Sequence, residues 1–300
     1  MFTYLPIAQT RRFLSPTVAL FGGGGVGAST TAIQFYDGSV VRTATTTLAA
    51  PSSYHSSTAI GQNSFIFGGN NLTSSSDFDA DYATIQRFDE ITRSTDSSTL
   101  ASNNNGSVAT TVSSTAFIFG GRSTVSLNSI QRYDGSSRTI DSSTLAEAEF
   151  ELSGCVISST SFIFGNEVSA TTRHKVQRYD GSSRTTDAAV LSGADVETSA
   201  TTLGSVALIF GGYDSTTLGF KNTVQRYTGS SMTTDSAVLP NASVRLRSSK
   251  LGSVVKIFGG TAVSSRILQY DGSTMTIDSA TVATANQFNS ASTTQGYVAT

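Results

Sequence analysis

The sequence predicts an all-β protein, a six-bladed β-propeller of four-stranded antiparallel blades, and three observations carry that prediction. First, an apolar run ending in Phe-Gly, usually Phe-Gly-Gly, recurs six times, at Phe21, Phe67, Phe119, Phe164, Phe210 and Phe258. Each is followed 12 to 21 residues later by a second aromatic, at Tyr36, Phe88, Tyr133, Tyr179, Tyr227 and Tyr270. Second, from each of these aromatics to an apolar residue (Leu48, Leu100, Leu145, Leu191, Leu239, Val282) the distance is 12, and from the first five of those to the next Phe it is 19. Third, short β-branched and aromatic runs alternate with turn residues, and no 3.6-residue apolar period is sustained anywhere. A period of 45 to 52 residues built this way reads as one propeller blade.

The strands are labelled A to D from the ring axis outward. Strand B is the run before the glycines, as in Ser64-Phe65-Ile66-Phe67, and the glycines admit close backbone approach where a side chain would collide. Strand C runs into the second aromatic, as in Thr223-Val224-Gln225-Arg226-Tyr227. The C to D turn is Tyr-Asp-Gly-Ser in four copies, with Gly supplying the positive φ of a tight hairpin. Strand D is the Ser/Thr-rich piece that follows, such as Arg184-Thr185-Thr186-Asp187. All length variation falls between Phe-Gly and the aromatic, where the spacings are 15, 21, 14, 15, 17 and 12. The B to C connection is therefore the free one.

The chain reads as one domain over residues 1–300, with six full repeats and a partial C-terminal hairpin at 285–300. Two arrangements satisfy this phase. Either the C-terminal segment replaces the N-terminal strand as strand A of the first blade, leaving residues 1–16 as an arm, or the hairpin packs outside the ring. A seven-bladed ring with an incomplete blade is the second reading of the count.

Composition fits a folded β protein with an uncharged surface. The chain holds 49 Ser and 43 Thr among 300 residues, and charged residues are 13%, about half the usual share. A net charge of −2 without a basic cluster gives no electrostatic basis for nucleic-acid binding. No apolar stretch reaches the roughly 20 residues that span a bilayer, so membrane insertion is not expected. The first 14 residues, with Pro6, Gln9, Arg11 and Arg12, lack the apolar segment of a secretion signal, so synthesis in a cytoplasm is expected. The single Cys155 lies in an apolar run and reads as a small buried hydrophobe.

Candidate chemistry is sparse. His55 and His174 lie in Ser/Thr-rich stretches without a nucleophile signature, and no catalytic residue or cofactor is expected. Gly22 to Gly27 lacks the Lys-Ser/Thr ending of a phosphate loop and falls where other blades carry their Gly pair. Arg87, Arg132, Arg178 and Arg226 precede the strand C aromatic, opposite Asp96, Asp141, Asp187 and Asp235; such repeat-locked pairs read as scaffold. One constellation departs from the repeat, Asp77, Asp79 and Asp81 with Tyr82 in the longest B to C loop. Alternate carboxylates suit calcium, but Tyr82 and Phe88 stand where a helical calcium loop needs Gly and Glu, so a solvated acidic loop is the first reading, and a contact with a partner through Asp77, Asp79, Asp81 and Tyr82 is the other. Tyr213, Asp214, Phe220 and Lys221, in the fifth blade's loop, are candidate partner contacts or a cover for the ring's face.

With these residues in view, the chain resembles a kelch-repeat protein: Phe67-Gly68-Gly69, Phe119-Gly120-Gly121, Phe210-Gly211-Gly212 and Phe258-Gly259-Gly260 match one element of that family's blade. Tyr36-Asp37, Tyr133-Asp134, Tyr179-Asp180 and Tyr270-Asp271 match a second, while the family's Trp is missing. The run Ile130 to Thr139 is similar to degenerate kelch-like arrays of tailed-bacteriophage virion proteins. That resemblance implies a non-enzymatic virion component (decoration, fibre or receptor-binding element) whose partners are other virion proteins or a host surface receptor or glycan. A cellular kelch-type adaptor in the cytoplasm, or a carbohydrate-binding lectin, is the alternative.

Overall fold

The computed structural model describes residues 16–22, 24–25, 28–71, 81–165, 174–193, 196–261, 265–283 and 290–294. Six four-stranded antiparallel sheets make the six blades expected from the repeat. In blade 2 the strands run in chain order, Ser56–Ile60, Asn63–Phe67, Thr84–Phe88 and Arg93–Thr99 as A to D. Blades 3 to 6 repeat this, with strands A at Val108–Val112, Ser153–Ile157, Ser199–Leu203 and Leu246–Leu251.

Blade 1 is closed from the other end of the chain. Its strand A is Ser290–Thr294, which pairs antiparallel with strand B, Thr17–Phe21, from Thr17↔Thr294 to Phe21↔Ser290. Strands C and D, Ile33–Tyr36 and Val41–Thr43, complete it. A C-terminal strand A for blade 1 is the element that the first of the two arrangements called for, and it joins the ring edges by backbone hydrogen bonds; residues 1–15 and the rest of the C-terminal hairpin lie outside the described residues.

Strand B is buried on both faces because a blade is covered by a neighbour on each side, so the run reads as continuous apolar rather than alternating. Strand D lies at the rim and is mostly exposed, which suits its Ser and Thr. The core is accordingly divided into clusters that straddle blades. One joins Phe117, Phe119, Ile130 and Leu145 of blade 3 to Leu152, Ile163 and Tyr179 of blade 4, with the Tyr179 ring edge-on to Phe117 and Phe119 at 5.0 and 5.6 Å. No blade owns a complete core, so neighbours stabilise one another. Close approach at the end of strand B explains the glycine: Gly120 has φ +58°, and a Cβ there would stand 2.5 Å from the Glu149 carbonyl oxygen of the next connection.

Two polar devices fasten adjacent blades. Each C–D ladder of blades 2 to 6 slips register one residue past its start, as between Ser129 and Gln131. The extra residues on strand D form a bulge that carries the repeat-locked Asp. Asp141 Oδ1 accepts from the Ser143 N–H at 2.8 Å, while its Oδ2 accepts from the Tyr179 hydroxyl of blade 4 at 2.5 Å. The same inter-blade bond joins Tyr133 to Asp96, Tyr227 to Asp187, Tyr270 to Asp235 and Tyr36 to Asp278. Burial, then the Asp235 hydrogen bond and charge, pushes the Tyr270 hydroxyl up to about 12. Three of the four expected Arg–Asp hairpin pairs are present as well, Arg132–Asp141 at 3.3 Å, Arg178–Asp187 at 3.4 Å and Arg226–Asp235 at 2.9 Å, whereas in blade 2 Asp96 receives the Tyr133 hydroxyl and forms no ion pair with Arg87.

The second device is a buried strand C glutamine. Its Oε1 accepts the backbone N–H just past the last apolar anchor of the previous blade: Ala49 to Gln86, Ala101 to Gln131, Ala146 to Gln177, Ser192 to Gln225 and Ala283 to Gln34, at 2.6 to 2.9 Å.

Candidate functional site

Because D to A and B to C connections both adjoin the end of strand B where the glycines lie, they emerge on one face of the ring. Of the partner residues expected from sequence, Asp81, Tyr82, Tyr213, Asp214, Phe220 and Lys221 are described, and they lie in the B to C connections of this face. Asp77 and Asp79 lie outside the described residues. Asp81 bridges to Asn70, and its Oδ1 accepts from Asn105 Nδ2 at 2.9 Å. The Tyr82 hydroxyl donates to the Pro51 carbonyl at 3.3 Å. These contacts tie the end of the long loop to blades 2 and 3.

In blade 5 the B to C connection forms a small β-ribbon, Tyr213–Asp214 paired with Gly219–Phe220. Asp214 is buried and anchors the turn: its carboxylate accepts the N–H groups of Thr216 and Thr217 and pairs with Lys221 Nζ at 2.8 Å. The Lys221 hydrogen bond and these turn donors hold the Asp214 carboxyl well below its usual range, outweighing partial desolvation. Tyr213 and Phe220 meet edge to face at 5.9 Å. Leu218, in its turn at φ +53°, and Phe220, opposite Tyr213, are 73% and 51% exposed. So Asp214 and Lys221 stiffen the ribbon, and Leu218 and Phe220 are its exposed apolar side chains. Leu218 was legible only once the ribbon placed it in the turn. In blade 1 the glycine run likewise forms a ribbon, Gly24–Gly25 with Ala28–Ser29.

The strands A enclose an axial cavity of about 400 Å³ lined mainly by Ser and Thr. Hydroxyls of adjacent blades pair across it, Ser56 with Ser107 at 3.0 Å, Thr58 with Thr111 at 2.9 Å, Ser153 with Thr198 at 2.7 Å and Ser199 with Ser248 at 2.8 Å. Cys155 is buried in this wall, and burial pushes its thiol up to about 12, so it is held as a neutral thiol. His174, at the start of strand C in blade 4, accepts the Leu191 N–H at its carbonyl, a bond of the repeating backbone register.

At the loop-bearing end the cavity continues into a smaller pocket bordered by Tyr54, Glu151, Glu197 and Arg245 together with His55 and Arg247. Tyr54, Glu151, Glu197 and Arg245 occupy the same repeat position, two residues ahead of the strand A residue that pairs with the Phe of strand B, and all are left-handed, with φ of 54, 56, 53 and 60°. The fifth such position, in blade 3, is Gly106 at φ 64°. Glu197 accepts from Arg245 Nε at 2.5 Å. Sequence reading missed this ring, because the anchors used to align the repeat lie in strands B and C. Aligning strand A would have shown large polar residues where a turn favours glycine.

Comparison with protein-family models and with curated proteins finds no match to this chain.

Proposed function

We propose that this chain is a non-enzymatic structural and interaction protein, a component of a tailed-bacteriophage particle that contacts a neighbouring virion protein or a host surface receptor through its B to C face. The observation that carries the reading is the blade 5 ribbon. Exposed Leu218 and Phe220 are displayed on a ribbon stiffened by the buried Asp214 and its Lys221 pair, an apolar contact whose ordering cost is already met by the fold. Loops on one face of a rigid ring suit several shallow contacts acting together. The repeat dialect of residues 130–139 supplies the virion context by resemblance alone.

The test has two parts. Mass spectrometry of density-purified particles should find the chain at a fixed copy number, whereas its presence only in the soluble lysate overturns the virion reading. Particles carrying Leu218→Ser with Phe220→Ser should then adsorb or assemble at least roughly tenfold less well, the loss expected when an apolar hot spot is removed. Unchanged adsorption and assembly would remove the ribbon from the interface.

A further inference from the structure

Departures from the sixfold repeat fall into two groups. In the first, two changes answer each other. Phe88 lacks the hydroxyl of the other five aromatics, and Ala44 stands in blade 1 where the other blades carry the Asp that would receive it. Leu268 replaces the strand C glutamine, and the residue whose N–H it would receive is Pro240, which has none. Gln269 replaces the strand C arginine, and buried Lys256 on strand B supplies the cation to Asp278 at 2.7 Å. These maintain the ring.

The second group has no such answer, and both members line the axial cavity. Arg247 sits where the other strands A have Ser56, Val108, Ser153, Ser199 and Ser290. Its Nη1 donates to the Leu246 carbonyl at 2.7 Å, and among the described residues it forms no ion pair. Burial depresses the guanidinium, with the Glu197 and Glu151 charges opposing. His55 is 2% exposed; Nε2 is bonded to the Phe21 carbonyl at 2.9 Å, so that nitrogen carries the proton, and Nδ1 is a buried acceptor with no donor. Burial and the Arg247 charge hold the ring neutral.

We propose that the axial cavity is a binding site for a small hydroxyl-rich oxyanion, a hexuronate-type acidic monosaccharide, with its carboxylate on Arg247 and its hydroxyls on the Ser/Thr wall. The cavity, about 400 Å³, lies in the range of small-molecule pockets. Each paired Ser or Thr hydroxyl keeps a further lone pair for a sugar hydroxyl. An arginine fork matches a carboxylate. The wall holds no Phe, Tyr or Trp on which a nucleobase would stack. The ring of left-handed Tyr54, Glu151, Glu197 and Arg245 frames the entrance, a strained arrangement kept although Gly106 shows that the position accepts glycine. This proposal is independent of the outer ribbon.

The experiment is isothermal titration of the full chain with sodium glucuronate, glucose and sodium phosphate. Glucuronate should saturate one site per chain, with glucose and phosphate each at least roughly tenfold weaker, since one lacks the charge and the other the hydroxyls. Arg247→Gln should lose glucuronate binding at least tenfold while keeping its β circular dichroism; should it fail to fold, Arg247→Lys, which keeps the charge and loses the fork, must weaken binding instead. Leu218→Ser with Phe220→Ser should bind glucuronate like the parent, which separates this site from the ribbon. Absence of glucuronate saturation, phosphate binding as well as glucuronate, or unaltered binding in Arg247→Gln would each overturn the proposal.

Discussion

His55 shows how much one side chain's surroundings decide. Its sequence neighbourhood, Ser and Tyr, suggests a solvated loop, yet strand A carries it into the axial wall beside Arg247. Burial pushes its pKa down to about 3, with the Arg247 charge adding and the Phe21 carbonyl opposing. The unfolded chain, with an ordinary histidine near 6.5, therefore binds the proton more readily, so the stability His55 contributes is full above about pH 6.5 and falls as the pH drops toward 3. Between pH 7 and 5 the loss should be about 2 kcal/mol. Asp187, Asp235 and Asp278 are held below their usual range, where tyrosine, basic and backbone donors outweigh desolvation, so they weaken the fold only below about pH 4. The two windows are separable. Urea denaturation at pH 7 and 5 should show the loss in the parent and a flat profile in His55→Leu, the residue that blades 4 and 6 use there as Leu152 and Leu246. A parent profile flat over that interval would place His55 in solvent.

Between blades, the joints are pairs rather than single residues. Tyr179 gains from the ring only because Asp141 has been turned toward it by the bulge, and the bulge is itself held by Asp141 Oδ1. A hydroxyl without its carboxylate would be a buried donor with no acceptor. The joint between blades 1 and 2 carries neither partner: Ala44 and Phe88 meet as apolar surfaces, with Phe35 stacked on Phe88 at 5.3 Å and 26°. Phe88→Tyr alone should cost about 1–3 kcal/mol for the unpaired hydroxyl. Adding Ala44→Asp should recover part of it, a coupling of at least about 0.5 kcal/mol in a double-mutant cycle read by chemical denaturation. Strictly additive costs would mean that the joint is fastened by packing alone.

At the scale of the molecule, closure couples all six blades. Ser290–Thr294 completes blade 1, and Ser292 and Thr293 bond Ser64 of blade 2 and Ser249 of blade 6, so this strand touches both neighbours. Truncation after Asn289 should strip strand A from blade 1 and expose the strand edge of Thr17–Phe21. The melting temperature should fall by at least about 10 °C, or the chain should aggregate, since each cluster spans two blades and the loss propagates round the ring. A truncated chain melting like the parent would show that the seam is not structurally required.

Blade number, strand order and the free B to C connection were legible in the linear pattern, because local chain geometry sets them: strands need runs of a given length, tight turns need Gly, and neighbouring strands in a meander are neighbours in sequence. Even the phase that let the chain's end supply the first blade's inner strand showed in the spacing, though not the choice between the two arrangements. The Arg–Asp pairs within hairpins were readable for the same reason. The Tyr–Asp bonds were not, since Tyr227 and Asp187 stand 40 residues apart and meet across two sheets. Nor was the axial site, to which His55 and Arg247 come from blades 2 and 6. Ring closure alone brings six strands A to one axis, and a cavity around that axis belongs to no single repeat.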